Sequence, residues 1–156
     1  MNSQPWYLPM VHSPEGLEFI SKLYLESYLK LADNLKDNEA SAIRAIADML
    51  KKEVSDASFT VIMIADPSRS ISWPIDLSMA SQDMMLMTHN LGIASSFIDL
   101  TYSRMSSYFN KELMRERFNI REDLIIFSMI LFGIPEKIPR PPQRKSLIEI
   151  IHYGRW

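Results

Sequence analysis

Residues 76–99, DLSMASQDMMLMTHNLGIASSFID, decide how the rest of the chain is arranged. Ala80, Met84, Met87 and Leu91 follow at steps of four, three and four, the spacing of one helical stripe. Leu77, Met79, Met85 and Leu86 widen that stripe beyond an ordinary amphipathic face, so the segment reads as a buried helix. Asp76 is placed to be its N-cap, offering a carboxylate to the unpaired N–H groups of the first turn. Gly92 stands where a left-handed residue closes a helix, because glycine takes positive φ without a Cβ penalty. The small polar run Ala94-Ser95-Ser96 then reads as a turn that lets backbone approach a ligand.

Strands are expected on both sides of this helix. Upstream, residues 58–65, SFTVIMIA, form a short apolar run ending at Asp66-Pro67, which suits a strand buried on both faces. A polar loop, residues 68–73, leads into Trp73-Pro74, where packing is the simplest use of the indole. Downstream, a charged helix is expected over residues 106–118, with Glu112 and Glu116 spaced to pair with Arg115 and Lys111. Residues 123–132, DLIIFSMILF, carry the strongest strand pattern and belong at the centre of a sheet that Gly133 ends.

The amino-terminal part follows the same logic. Residues 7–11 suit an edge strand, since Pro9 removes one ladder donor. Ser13-Pro14 opens a helix, Ser13 capping and Pro14 at the first position, that runs to Asp33-Asn34. A second helix runs from about residue 38 to Lys51-Lys52.

At 156 residues the chain suits one domain, and 47% hydrophobic with 23% charged residues is ordinary for a globular protein. A net charge of −2 lacks the basic surplus of a nucleic-acid binder. Zero cysteines exclude disulfides, thiolate metal sites and thiol catalysis. With only four glycines, no phosphate-binding glycine loop can be written. His12, His89 and His152 lack ligand spacing, so no metal site is expected. No signal peptide or membrane-length apolar run is apparent, and a cytoplasmic protein is expected.

Residues 134–156 change character. Pro135, Pro139, Pro141 and Pro142 favour an extended path carrying Arg140, Arg144 and Lys145, followed by a strand-like stretch at 147–151. Such an arm has little to pack on within a small domain, so a homodimer in which arms cross between subunits is expected.

Three of these features, in this order, resemble the nitroreductase family of flavin-dependent oxidoreductases. Met1-Asn2-Ser3-Gln4-Pro5-Trp6 looks like the family's P-S-x-x-N-x-Q-P-W segment. The helix with Ala80, Gln82, Leu86 and Leu91-Gly92-Ile93 is similar to A-x-Q-N-x-x-L-A-A-x-x-L-G-L-G. Phe132-Gly133-Ile134-Pro135, followed by Arg144-Lys145-Ser146-Leu147-Ile148-Glu149-Ile150-Ile151, resembles the closing G-Y-P…R-x-P-L-E-E-I-V. The resemblance implies an α+β fold, a central mainly antiparallel sheet flanked by helices, in a dimer holding FMN at the subunit interface. It implies NAD(P)H as co-substrate and ping-pong reduction of nitroaromatics, quinones or similar acceptors.

Carried over by position, Asn2 and Gln4 would contact the flavin ring or ribityl chain. The backbone at Ile98, Asp99 and Leu100 would reach its redox face. Arg144, assisted by Arg140, would bind the FMN phosphate, for which a guanidinium fork is suited. No catalytic side chain is expected, because flavin carries the electrons.

The chain departs from the pattern at Leu100, where relatives often have glycine, at Asp83 and at Ala94. The family's Arg-Arg-Ser segment has no counterpart ahead of Met1, which suggests a shortened form, a fragment or a variant start. That loss and Leu100 motivate an alternative, a flavin-free dimer with a structural or binding role.

Overall fold

The apolar runs at 58–65 and 123–132 become the two inner strands of one antiparallel sheet. The computed structural model describes residues 2–138 and 140–155, so Met1 of the first motif and Pro139 of the arm lie outside it. Strand β3 (Phe59–Ala65) pairs with β5 (Ile125–Gly133), both almost wholly buried, as their unbroken apolar runs require. Strand β4 (Ala94–Asp99) closes one side against β5. The short β1 (Trp6–Tyr7) and β2 (Met10–Val11) close the other against β3, giving the order β1-β3-β5-β4. Between them, the Pro9 carbonyl accepts from the Ile62 N–H at 2.9 Å, so the proline interrupts the edge without leaving it.

Alternation along β3 sorts side chains into two layers. Ile62 and Ile64 face α1 (Pro14–Asp33) and α2 (Asp37–Ser55), where Ile20, Leu23, Val54 and Met129 share the larger core. Val61, Met63 and Ala65 face α3 (Trp73–Asn90), through Leu77, Phe127 and Ile130. The register of β3 against β5 shifts between Met63 and Ile64, whose partners are Ser128 and Ile126. Phe127 is the extra residue of that bulge. At the start of α1, Ser13 Oγ accepts from the Gly16 N–H at 3.1 Å, and Pro14 takes the first position, as expected. Among the described residues no helix is long and apolar enough to cross a membrane.

Several expectations are corrected. Helix α3 starts four residues early with Ser72 as N-cap; Asp76 lies inside the first turn, where its Oδ2 accepts from Ser70 Oγ at 2.8 Å. It is not buried all round: Leu77 and Ser81 are its buried residues, while Met79, Leu86, Met87 and the following Leu91 are exposed. The sheet lies under it, and among the described residues no layer lies above. Its end does follow the sequence: Gly92 has φ +75°, and the Gly92 and Ile93 N–H groups donate to the His89 and Thr88 carbonyls, the paired bonds of a Schellman cap.

Ala94-Ser95-Ser96 is not a turn but the start of β4. The expected helix over 106–118 shortens to α4 (Lys111–Phe118). Upstream of it, side chains take over the backbone's bonds: Asp99 Oδ1 accepts from the Thr101 and Tyr102 N–H groups, and Ser103 and Ser106 hydroxyls donate to nearby carbonyls. Asn110 then caps α4 by accepting from the Leu113 N–H at 3.1 Å. The strand expected at 147–151 is instead a short helix, α5 (Leu147–Ile150). Its start is set by Ser146, whose N–H and hydroxyl both donate to Glu149 Oε1 at 2.9 and 2.6 Å.

Candidate functional site

One end of the sheet gathers two of the three sets of expected site residues, Asn2 with Gln4 and the stretch 98–100. There β1 begins with Trp6 opposite Ala65, β5 begins with Ile125 opposite Ala65, and β4 ends with Asp99 opposite Ser128. The outer strands β1 and β4 are three strand spacings apart, about 14 Å. The chain enters β1 through Gln4, a non-glycine residue at φ +43°, and Pro5, whose carbonyl accepts from the Asp66 N–H at 2.7 Å. Anchored in this way, Asn2 and Gln4 are held beside the loop that follows β3.

Asn2 and Ser3 line a cleft of about 620 Å³ together with Arg69 and Ser70. The sequence reading missed Arg69; a lone cation just after a buried strand and Asp-Pro was the available signal. The loop around it is fixed by its own acids. Buried Asp66 accepts through Oδ1 from the Ser68 N–H (3.0 Å) and hydroxyl (2.5 Å), and Asp76 takes the Ser70 hydroxyl.

The β4 end is more divided than expected. The Ile98 and Leu100 side chains point into the core on the α1 side, with Leu100 fully buried. The Leu100 N–H donates to the Phe127 carbonyl at 3.2 Å and is therefore used within the sheet. Ladder alternation then turns the Asp99 N–H away from β5, toward the open edge. The Asp99 carboxylate is occupied with the Thr101 and Tyr102 amides. Half-buried Lys111 lies near it: burial, and then Arg115, push its ammonium pKa down, while Asp99 acts the other way.

On the α3 side, Trp73, Phe97 and Tyr102 meet Phe127 edge-on at 5.7, 6.5 and 6.4 Å, so Trp73 packs as expected. Ser128 Oγ, beside Phe127 on the bulge and opposite Asp99, is buried without a hydrogen-bond partner. This end of the sheet therefore offers amide, hydroxyl and guanidinium donors, an outward peptide N–H and an aromatic cluster. That donor set fits a planar, phosphorylated ring cofactor.

The arm arginines are not part of this gathering within one chain. The arm leaves from Gly133, which pairs with Ala94 at the opposite end of the sheet, and Arg140 and Arg144 lie exposed on it. Nine residues of β5 separate the two ends by about 30 Å. A smaller cleft at the arm's end, about 260 Å³, is lined by Glu53 and Asp56 with Ser95, Ser96 and Ile134, an acidic set unsuited to phosphate.

No protein-family model matches the chain. A curated protein of Archaeoglobus fulgidus, named an NADH dehydrogenase/NAD(P)H nitroreductase, is 25% identical over 139 residues, covering 86% of this chain. The chain spans 64% of that relative's length. Among solved structures, a BluB-like flavoprotein of Clostridium difficile superposes with a TM-score of 0.72 at 16% identity, over 96% of this chain and 80% of its own. A nitroreductase with bound FMN from Desulfitobacterium hafniense gives 0.69 at 19% identity, over 96% and 76%. A nitroreductase family protein of Clostridium difficile gives 0.64 at 23% identity, over 99% and 77%. The chain thus has the nitroreductase fold, an α+β arrangement around an antiparallel sheet.

Proposed function

We propose that the chain is an FMN-dependent oxidoreductase that takes reducing equivalents from NADH or NADPH and passes them to nitroaromatics, quinones or similar acceptors. The cycle is ping-pong, and the protein works as a homodimer in the cytoplasm. The observation that carries this reading is the meeting of the Asn2–Trp6 segment and the Asp99 end of β4 at one end of the sheet. It occurs in a fold shared across nearly the whole chain with an FMN-bound nitroreductase.

Bound FMN supplies the electron transfer, and the protein supplies orientation and electrostatics. Asn2 and Gln4 hold the ring and ribityl chain through their carboxamides. The outward Asp99 N–H donates to the ring's redox edge. Arg144, with Arg140, grips the phosphate from the arm of the second copy, since its own arm leaves from the far end of the sheet. Exposed apolar residues support that second copy: Ile75, Met79 and Leu86 on α3, and Ile138, Leu147 and Ile148 on the arm.

The flavin-free alternative loses its motive at Leu100. The leucine side chain is fully buried on the α1 side and does not obstruct approach to the backbone from the open edge. An absorbance spectrum of purified protein supplied with FMN tests the reading. Flavin bands that persist through gel filtration, with oxidation of NADH or NADPH, are expected. Colourless protein that takes up no FMN overturns it.

A further inference from the structure

The loop between β3 and α3 leaves one strong donor unspent. Asp66 is satisfied by the Ser68 N–H and hydroxyl, and Asp76 accepts from the Ser70 hydroxyl, which in turn accepts from the Ser72 N–H at 3.2 Å. Arg69 stands between these acids in sequence, yet its guanidinium forms an ion pair with neither, nor with any other described residue. An arginine so close to two carboxylates would ordinarily neutralise one of them. Here loop donors engage both acids, and Arg69 lines the 620 Å³ cleft with Asn2, Ser3 and Ser70.

We propose that Arg69, with the Ser3 hydroxyl, forms a subsite for a phosphate monoester. The chemistry follows from the donors. The guanidinium offers five N–H groups in a planar fork and the hydroxyl adds one, against an acceptor-only dianion. The loop's own hydrogen bonds fix the backbone from which exposed Arg69 extends. Two sources of this group arise from the oxidoreductase reading, on which only the choice of source rests: the phosphate of FMN and the 2′-phosphate of NADPH.

Calorimetric titration of the full chain with inorganic phosphate tests the subsite directly. The wild type should bind, and Arg69→Ala should bind at least about tenfold more weakly, the effect of losing a charge-assisted hydrogen bond. Arg69→Lys should recover part of the loss. A wild type that does not bind phosphate, or an Arg69→Ala variant that binds equally well, overturns the proposal. Circular dichroism checks that the exposed-loop variants remain folded.

In flavin-loaded protein, Arg69→Ala should reduce either the preference for FMN over riboflavin or the kcat/KM preference for NADPH over NADH. The ratio that falls identifies the source. If both ratios hold while flavin binds and turns over, the subsite is overturned. If no flavin binds at all, the oxidoreductase reading fails, and the phosphate titration still decides the subsite.

Discussion

Two glycines show how single residues hold this fold by different means. Gly16 lies in α1 where an added Cβ would come within 2.6 Å of Val11 Cγ1 and 2.9 Å of the capping Ser13 Oγ. Val11 is buried and cannot retreat, so crowding outweighs alanine's better helix propensity. Gly16→Ala should destabilise by about 1–3 kcal/mol, the usual effect of overpacking. Gly92 has open space around its Cβ position and φ +75°, so its cost is conformational. Gly92→Ala should lose about 1–2 kcal/mol, and Gly92→Asn should lose less because asparagine tolerates the left-handed cap. Urea midpoints of the three variants check this; equal losses for Ala and Asn at 92 would contradict the account. Ser13 and Gly92 were legible because caps depend on a few adjacent residues. The orientation of Leu100 was not, because strand register across 27 residues to Phe127 sets the face on which its side chain falls.

At the scale of elements, α3 is the most instructive. Its stripe of apolar residues correctly marked a helix, but it did not say how many neighbours the helix has. Leu77 is fully buried against the sheet, whereas Met79, two positions on, faces outward. Leu77→Ala should cost about 2–5 kcal/mol, combining lost transfer energy and a residual cavity. Met79→Ala should change the stability of the monomeric chain by less than about 0.5 kcal/mol. Urea unfolding at dilution measures both; a large loss at Met79 would mean that another part of the chain covers it. Strands β3 and β5 were read correctly because burial on both faces leaves an unbroken apolar run. The helix expected from residue 106 begins only at Lys111, because the Ser106 hydroxyl donates to the Thr101 and Ser103 carbonyls and Asn110 caps the later start. At α5 the Ser146–Glu149 capping box prevails over the β-branched run that follows it.

At the scale of the molecule, the arm and the outer face of α3 belong to one argument. Ile134, Ile138 and Ile148 are each at least 80% exposed, so the arm contributes little to the core of its own chain. Deleting residues 134–156 should leave the circular dichroism of the sheet and helices nearly unchanged. It should halve the mass seen by sedimentation, because the homodimer proposed here depends on the exchanged arm. A full-length chain that is already monomeric at micromolar concentration would refute that dependence.

Local pattern was enough to establish the two inner strands, the first helix with its cap, the Schellman end of α3 and the resemblance carried by three short motifs. Each rests on neighbours a few residues apart, where spacing and backbone preference act directly. The sheet order, the meeting of Asn2 with Arg69, the spent amide of Leu100 and the departure of the arm from the opposite end came only with the folded chain. These depend on pairing between strands dozens of residues apart, and no short-range periodicity encodes which edge or which end a residue will occupy.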